Sequence, residues 1–300
     1  MASARFQIRY ALLVVALVAS QWFAASARAE SPAKADAAPP KGVRMFSSGH
    51  SFHMFMPGIL ADIAKSAGIT DHTLVGVSSI GGSYVHQHWA KEDDKAAKVV
   101  IPREKPDVFT MAPIYLPDDG IENFVKLVAE QTPKTRVLLQ EFWLPFDVYN
   151  LNYKKEKVSP PDRDQMTAEY LRTEYGKYFK DMDEHVRELN RRYGKTIVYV
   201  TPVGQAVVAL REKVIDGKAP GIKKQSELFT DPIGHCTAPI KVLNAYCHYA
   251  VIYGRSPVGL PVPAALKGFA DEETTAKLNT LLQEIAWDAA TSHPLSGVKP

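Results

Sequence analysis

Two short stretches hold the residues best suited to covalent chemistry. Gly49-His50-Ser51-Phe52 follows the apolar run Val43 to Phe46, and Asp231-Pro232-Ile233-Gly234-His235 comes directly before a long apolar stretch. A serine hydroxyl becomes a competent nucleophile when an imidazole takes its proton and a carboxylate orients that imidazole. An unperturbed histidine titrates near 6.5, which suits proton transfer at neutral pH. Ser51 is therefore the candidate nucleophile, His235 the candidate base and Asp231 the residue that would orient it. Each has a plainer reading. Serine is a favoured helix N-cap, and His235 could simply pack against the next helix.

A nucleophile needs donors for the charge that develops on the attacked carbonyl. Gly81-Gly82 supplies bare backbone amides, and one of these with the amide of Ser51 would form an oxyanion hole. A turn that merely needs positive φ would use the same glycines. His50, Gly81, Gln87, His88 and Trp143 are further candidates to line a substrate pocket. Trp89 and Trp143 could offer a sugar platform or fill the core. His50, His53, His86 and His88 also carry spacings that can chelate zinc. However, no H-E-x-x-H or paired-cysteine pattern accompanies them, so neither metal nor cofactor is expected.

Residues so far apart in sequence can meet only if larger elements bring them together. Apolar runs at Val43 to Phe46, Leu74 to Ser78, Asp107 to Met111, Arg136 to Gln140 and Thr196 to Thr201 read as strands. They are short and continuous, as expected for strands covered on both faces. Helical patterns lie between them. One covers Met56 to Ala67 and ends at Gly68. Another covers Ile121 to Glu130. A third places Phe179, Met182, Val186, Leu189 and Tyr193 on one face before Gly194. This alternation predicts an α/β fold with a parallel five-stranded sheet and right-handed crossovers. In such sheets, ligands bind at the carboxyl ends of the strands, where all the candidate residues fall. Pro145 to Thr167 breaks the pattern. A polar connection of that length reads as a functional cover or a disordered excursion. A last helix, Asp271 to Ala290, is expected to pack on the domain from outside.

The chain begins as an exported protein would. Arg5 and Arg9 precede an apolar stretch from Ala11 to Ala25 and a small-residue cleavage site, Ala27-Arg28-Ala29. Residues 1–29 thus read as a secretory signal peptide. Residues 30–41 read as a flexible linker, and residues 42–293 as a single domain. Removing Arg5, Arg9 and Arg28 balances 36 basic against 33 acidic side chains. With no basic cluster left, nucleic acid is an unfavourable partner, and no membrane attachment is expected after cleavage. Cys236 and Cys247 would lie about 16 Å apart on a helix from Thr237 to Tyr253. That is too far for a disulfide, so two free thiols are expected.

At these residues the chain resembles the SGNH (GDSL-like) hydrolase superfamily, an exported bacterial branch. Gly49-His50-Ser51 matches its first block, Gly81-Gly82 its second, and Asp231 with His235 its last. The resemblance implies a flavodoxin-like three-layer α/β/α fold and hydrolysis of an acyl or acetyl ester without metal. A carbohydrate ester is the expected substrate. The departures are specific. His50 stands where the family has Asp, and the last block carries one extra residue. The third block is replaced by Thr110-Met111-Ala112-Pro113-Ile114-Tyr115, which lacks the Asn that donates to the oxyanion. Either another group substitutes, Gln87 or His88 among the candidates, or the protein is a weak or altered enzyme. Two alternatives stay open: a catalytically silent glycan-binding module on the same fold, and a metal-dependent hydrolase built on the four histidines.

Overall fold

Five strands form where the apolar runs predict them. In the computed structural model, which describes residues 38–159 and 162–299, they are β1 (Arg44–Gly49), β2 (Thr73–Ser79), β3 (Val108–Met111), β4 (Arg136–Gln140) and β5 (Val198–Thr201). All neighbours pair in parallel, in the order β2-β1-β3-β4-β5. This is the flavodoxin-like order. The expected leader and residues 30–37 of the expected linker lie outside the described residues. No helix among the described residues is long and apolar enough to cross a membrane.

The order matters because the chain passes from β1 to β2 on one side and then crosses to β3 on the other. Loops leaving β1 and β3 therefore diverge at their carboxyl ends and open a crevice. Ser51 lies two residues beyond the end of β1, at that crevice. The central strands β3 and β4 are almost wholly buried, so the crevice has a rigid floor. The β5 edge is covered from outside, where the Val200 N–H donates to the Leu295 carbonyl of the C-terminal segment at 3.0 Å. Such cover blunts an edge that could otherwise pair with another chain.

Among the described residues, eight α-helices pack around this sheet: α1 (Met56–Ser66), α2 (Val85–Trp89), α3 (Ala97–Glu104), α4 (Asp119–Gln131), α5 (Ala168–Arg192), α6 (Val203–Ile215), α7 (Ala238–Tyr253) and α8 (Glu272–Ser292). Helices α1 and α8 both pack on α7, α2 and α3 pack on α4, and α5 packs on α6. Helix α8 is the expected C-terminal helix. Helices α2, α3 and α6 carry no clear helical periodicity. Helix α6 is buried along most of its length, so it shows no amphipathic stripe. Gly204 within it is a point of close approach, since a Cβ there would lie 2.6 Å from the Phe179 ring and 2.9 Å from the Phe142 carbonyl. Cys236 precedes α7 and Cys247 lies within it; both are free and buried.

One carboxylate fixes the entrance to two helices. Asp118 is the N-cap of α4, accepting from the Gly120 N–H at 2.9 Å. Its oxygens also accept from the Val85 and His86 N–H groups at 2.7 and 2.9 Å, which open α2. The backbones meet so closely that a Cβ on Gly120 would lie 2.3 Å from the His86 nitrogen. Helix α2 follows the Gly81-Gly82 turn, so this junction holds the glycines in place. Asp118→Ala leaves three buried or half-buried donors unmet. We expect it to lower stability by about 1–3 kcal/mol, read as a reduced urea midpoint against wild type; an unchanged midpoint would contradict the assigned capping role.

Candidate active site

Ser51 follows β1 by a tight turn in which the His53 and Met54 N–H groups both donate to the His50 carbonyl. Helix α1 begins only at Met56, so Ser51 does not cap it. Its hydroxyl oxygen instead lies 2.8 Å from Nε2 of His235. His235 Nδ1 lies 2.5 Å from Oδ2 of Asp231. The other oxygen of Asp231 accepts from the backbone N–H groups of Gly234 and His235 at 2.9 and 3.0 Å. The four-residue separation that exceeds the family pattern is thus taken up by a loop folded around its own carboxylate. Gly234 sits there at φ +109, a conformation that other residues rarely adopt.

The electrostatics set the direction of proton transfer. Burial pushes the Asp231 carboxyl up, but the hydrogen bonds from the His235 side chain and from the His235 and Gly234 backbone outweigh it and hold the group below its usual value. An ionised Asp231 can only accept, so His235 Nδ1 carries the proton and Nε2 presents its lone pair to Ser51. Ser51 is exposed, and the His235 and Asp231 side chains keep 41% and 36% of their surface. Ser51 and His235 border a pocket, and Asp231 stands behind the imidazole.

That pocket encloses about 350 Å³ and is bounded by residues from every strand end that faces it. His50, Ser51 and Phe52 come from beyond β1, Gly81 and Gly82 from beyond β2, and Ile114 from beyond β3. Phe142, Pro145 and Tyr153 follow β4, and Ile233 and His235 come from the late loop. Among the described residues, the amides of Ser51 and Gly82 donate to no protein acceptor. They are available to a ligand oxygen. The place of the missing Asn is taken by an apolar wall that includes Ile114.

Three of the expected pocket residues lie elsewhere. His88 is buried between the Ser78 and Ser83 hydroxyls at 2.7 and 2.6 Å. Gln87 turns its side chain back on its own helix, accepting from the Tyr84 N–H at 2.8 Å. Neither lines the pocket, so neither replaces the Asn. Trp143 is fully buried; its ring stacks on Phe52 with centroids 4.7 Å apart, and its Nε1–H donates to the Gly234 carbonyl at 2.9 Å. It supports the site from beneath rather than offering a sugar platform.

The four histidines of the metal alternative also part company. His50 borders the pocket. His53 is fully buried, with Gln140 at 2.7 Å and the Ser47 and Thr110 hydroxyls at 3.0 and 3.1 Å. His86 stacks on Tyr84 at the surface, and His88 is bound by two serines. Among the described residues, no three His, Cys, Asp or Glu side chains are grouped to hold a metal ion.

The segment from Pro145 to Thr167 reads in the sequence as a cover or a disordered excursion. It is instead the mount of the late loop. The Phe146 N–H donates to the Ile233 carbonyl at 3.1 Å. The Arg163 guanidinium donates to the Asp231 and Pro232 carbonyls at 2.7 and 2.8 Å. With Trp143, four consecutive carbonyls, from Asp231 to Gly234, are held by this segment. The Lys154 ammonium also donates to the Gly82 carbonyl. Motif spacing carries no trace of these contacts, because Arg163 and Lys154 look like ordinary surface cations in sequence.

Searches against known proteins give the fold a context. No family model matches the sequence, and no curated protein matches it at a significant level. Among solved structures, a DUF4886 family protein from Bacteroides uniformis superposes with a TM-score of 0.56 at 13% identity, covering 84% of this chain and 96% of that one. At that identity the likeness shows the fold alone. A "putative GDSL-like lipase" from Parabacteroides merdae aligns with a TM-score of 0.41 at 12% identity, over 69% of this chain and 94% of that one.

The buried imidazoles make a pH prediction. Burial lowers His53 to about 4 and both His50 and His248 to about 3, from an ordinary 6.5. They stay neutral in the fold but take up protons in the unfolded chain below 6.5. The unfolded state then binds more protons, so stability is full above pH 6.5 and falls as pH drops toward 4. Each group contributes a slope of up to about 1.4 kcal/mol per pH unit. We expect a clearly lower urea midpoint at pH 5 than at pH 7.5; equal midpoints would show that these imidazoles are not held neutral.

Proposed function

We propose that this chain is a serine ester hydrolase of the SGNH (GDSL-like) type, exported by its leader, acting on a short acyl or acetyl ester. The observation that carries the reading is the continuous relay from Ser51 through His235 to Asp231 at the mouth of a pocket with two unengaged amides. The hydroxyl of Ser51 attacks the ester carbonyl carbon while His235 Nε2 takes its proton. Asp231 holds the imidazole in the required tautomer and stabilises the imidazolium that forms. The amides of Ser51 and Gly82 receive the oxyanion. His235 then gives its proton to the leaving alkoxide, which departs as the alcohol. Water, deprotonated by the same nitrogen, attacks the acyl carbon; the bond from that carbon to the Ser51 oxygen then breaks, His235 returns the proton to the serine oxygen, and the acid leaves.

The pocket wall favours a compact apolar acyl group. Phe52, Ile114, Phe142, Pro145, Tyr153 and Ile233 present carbon surface, and burying it against an acyl chain contributes about 25 cal/mol per Å². Ser51 is exposed, so the reading leaves room for a bulky alcohol such as a sugar hydroxyl as leaving group. Two oxyanion donors in place of three lower the expected rate, since one such donor is worth about 10²–10³. That same shortage favours a second reading, a glycan-binding module that retains the pocket without turnover.

A fluorophosphonate probe separates the two, because it reacts only with an activated serine. Wild-type protein is expected to be labelled, and Ser51→Ala to lose labelling while keeping its fold. Turnover of acetylated sugars or short-chain p-nitrophenyl esters is expected to fall by about 10⁴–10⁶ in the same variant. Absence of labelling in wild type, with retained glycan affinity, would overturn the hydrolase reading and favour the binding module.

A further inference from the structure

We propose that Arg163 is a positioning residue for the relay, and that it sets the angle at which Asp231 presents His235 to Ser51. This rests on the hydrolase reading above and adds a residue that no motif includes. Half-exposed side chains such as His235 and Asp231 are not confined by packing from outside. Their aim must come from the backbone beneath. The loop between them contains Gly234 at positive φ, which permits more conformers than any other residue would.

Trp143 and Phe146 hold the Gly234 and Ile233 carbonyls, and Arg163 supplies the constraint on the two peptides before them, beginning at Asp231 itself. One planar guanidinium reaches the carbonyls of Asp231 and Pro232 at 2.7 and 2.8 Å, while its Nε–H donates to Asp147 Oδ2 at 2.7 Å. Two parallel bonds from one rigid fork fix both the position and the tilt of the intervening peptide. Residue 231 is itself the relay carboxylate, so its carbonyl and its side chain move together. The guanidinium is 10% exposed and lies 4.3 Å over the Phe229 ring, which limits its own freedom.

The fork is anchored in turn. Asp147 is 1% exposed and accepts from Tyr175 OH at 2.6 Å and from the fully buried Arg211 as well as from Arg163. Phe146 and Asp147 adopt φ of 55 and 56, a costly conformation for side chains of this kind that persists only where the surroundings over-determine it. That turn aims the Asp147 carboxylate inward and the Phe146 N–H at Ile233. The path from Arg211 through Asp147 and Arg163 to Asp231 is therefore one continuous set of charge-assisted hydrogen bonds.

Two variants test it. Arg163→Met removes the fork. Arg163→Lys keeps a cation beside Asp147 but cannot span two carbonyls, so it is expected to fold as wild type does and keeps the test valid if the methionine variant does not fold. Both are expected to lower kcat on a short-chain p-nitrophenyl ester by about 10–100-fold, with KM unchanged within about threefold. A second readout does not depend on turnover. The His235 Nδ1 proton, in its short bond to Asp231, should give a downfield proton NMR signal in wild type. Asp231→Asn would identify it by its loss, and both Arg163 variants should broaden or shift it.

A folded variant with wild-type kcat and an unchanged signal would overturn the proposal, as would a wild-type protein with no such signal. If wild type turns over no ester and labels with no probe, the hydrolase reading fails by itself, and the NMR comparison still decides whether Arg163 holds the pair.

Discussion

A carboxylate removed from water has to be met by cations and donors, and Asp147 is the point where this chain meets that demand. Leaving such a group unpaired costs several kcal/mol, so its surroundings are not free to drift. Arg211 comes from α6, Tyr175 from α5 and Arg163 from the far end of the long connection. These three elements are drawn to one place by a single charge. The connection between β4 and α5 is consequently held at both ends, although it has little regular structure of its own. The Asp231 loop, the pocket wall at Pro145 and Tyr153, and the hold on Gly82 all hang on that connection.

The rest of the site is set by sheet topology. A parallel order with a switch beside β1 leaves a crevice at the carboxyl ends, and Ser51 sits there. Below it, polar groups are not wasted on water. His53, Gln140, Thr110, Ser47 and Asn244 bond to one another under the strand ends, and Gln140 and Asn244 both donate to the Phe52 carbonyl. The turn carrying Ser51 is thereby tied to β4 and α7. A buried hydrogen-bonded network of this kind rigidifies what it touches, although Asn244 Oδ1 is left without a partner in it. The pocket above it is lined mostly by carbon, the setting that the proposed acyl-ester chemistry requires.

Much of this architecture was legible in the residues. Short continuous apolar runs marked all five strands; β1, β3, β4 and β5 are largely buried and leave no alternation to be confused by, whereas the edge strand β2 keeps Leu74 and Val77 exposed. Ser51, Asp231 and His235 stood out because serine after a strand and histidine four residues from aspartate are unusual neighbours of apolar elements. Helix α6 was hidden for the opposite reason: an element buried along most of its surface shows no stripe. Trp143 and His88 were misplaced because residue type reports what a side chain can do and not which way it faces. Trp143 turned inward to stack on Phe52, and His88 was taken up by two serine hydroxyls.

Local sequence thus determined the strands, most of the helices, and the identity of the three residues that meet at the pocket, since these follow from hydrophobic period, turn chemistry and the few side chains able to exchange protons. It also determined that no third side-chain donor of the family type follows β3. Tertiary structure alone decided that Asp231, His235 and Ser51 touch, across 184 positions of chain. It decided too that the connection after β4 is a mount rather than an excursion. The reason is physical: a guanidinium's role is set by which carboxylate and carbonyls surround it, and those come from segments that only the folded sheet and helices bring within hydrogen-bonding distance.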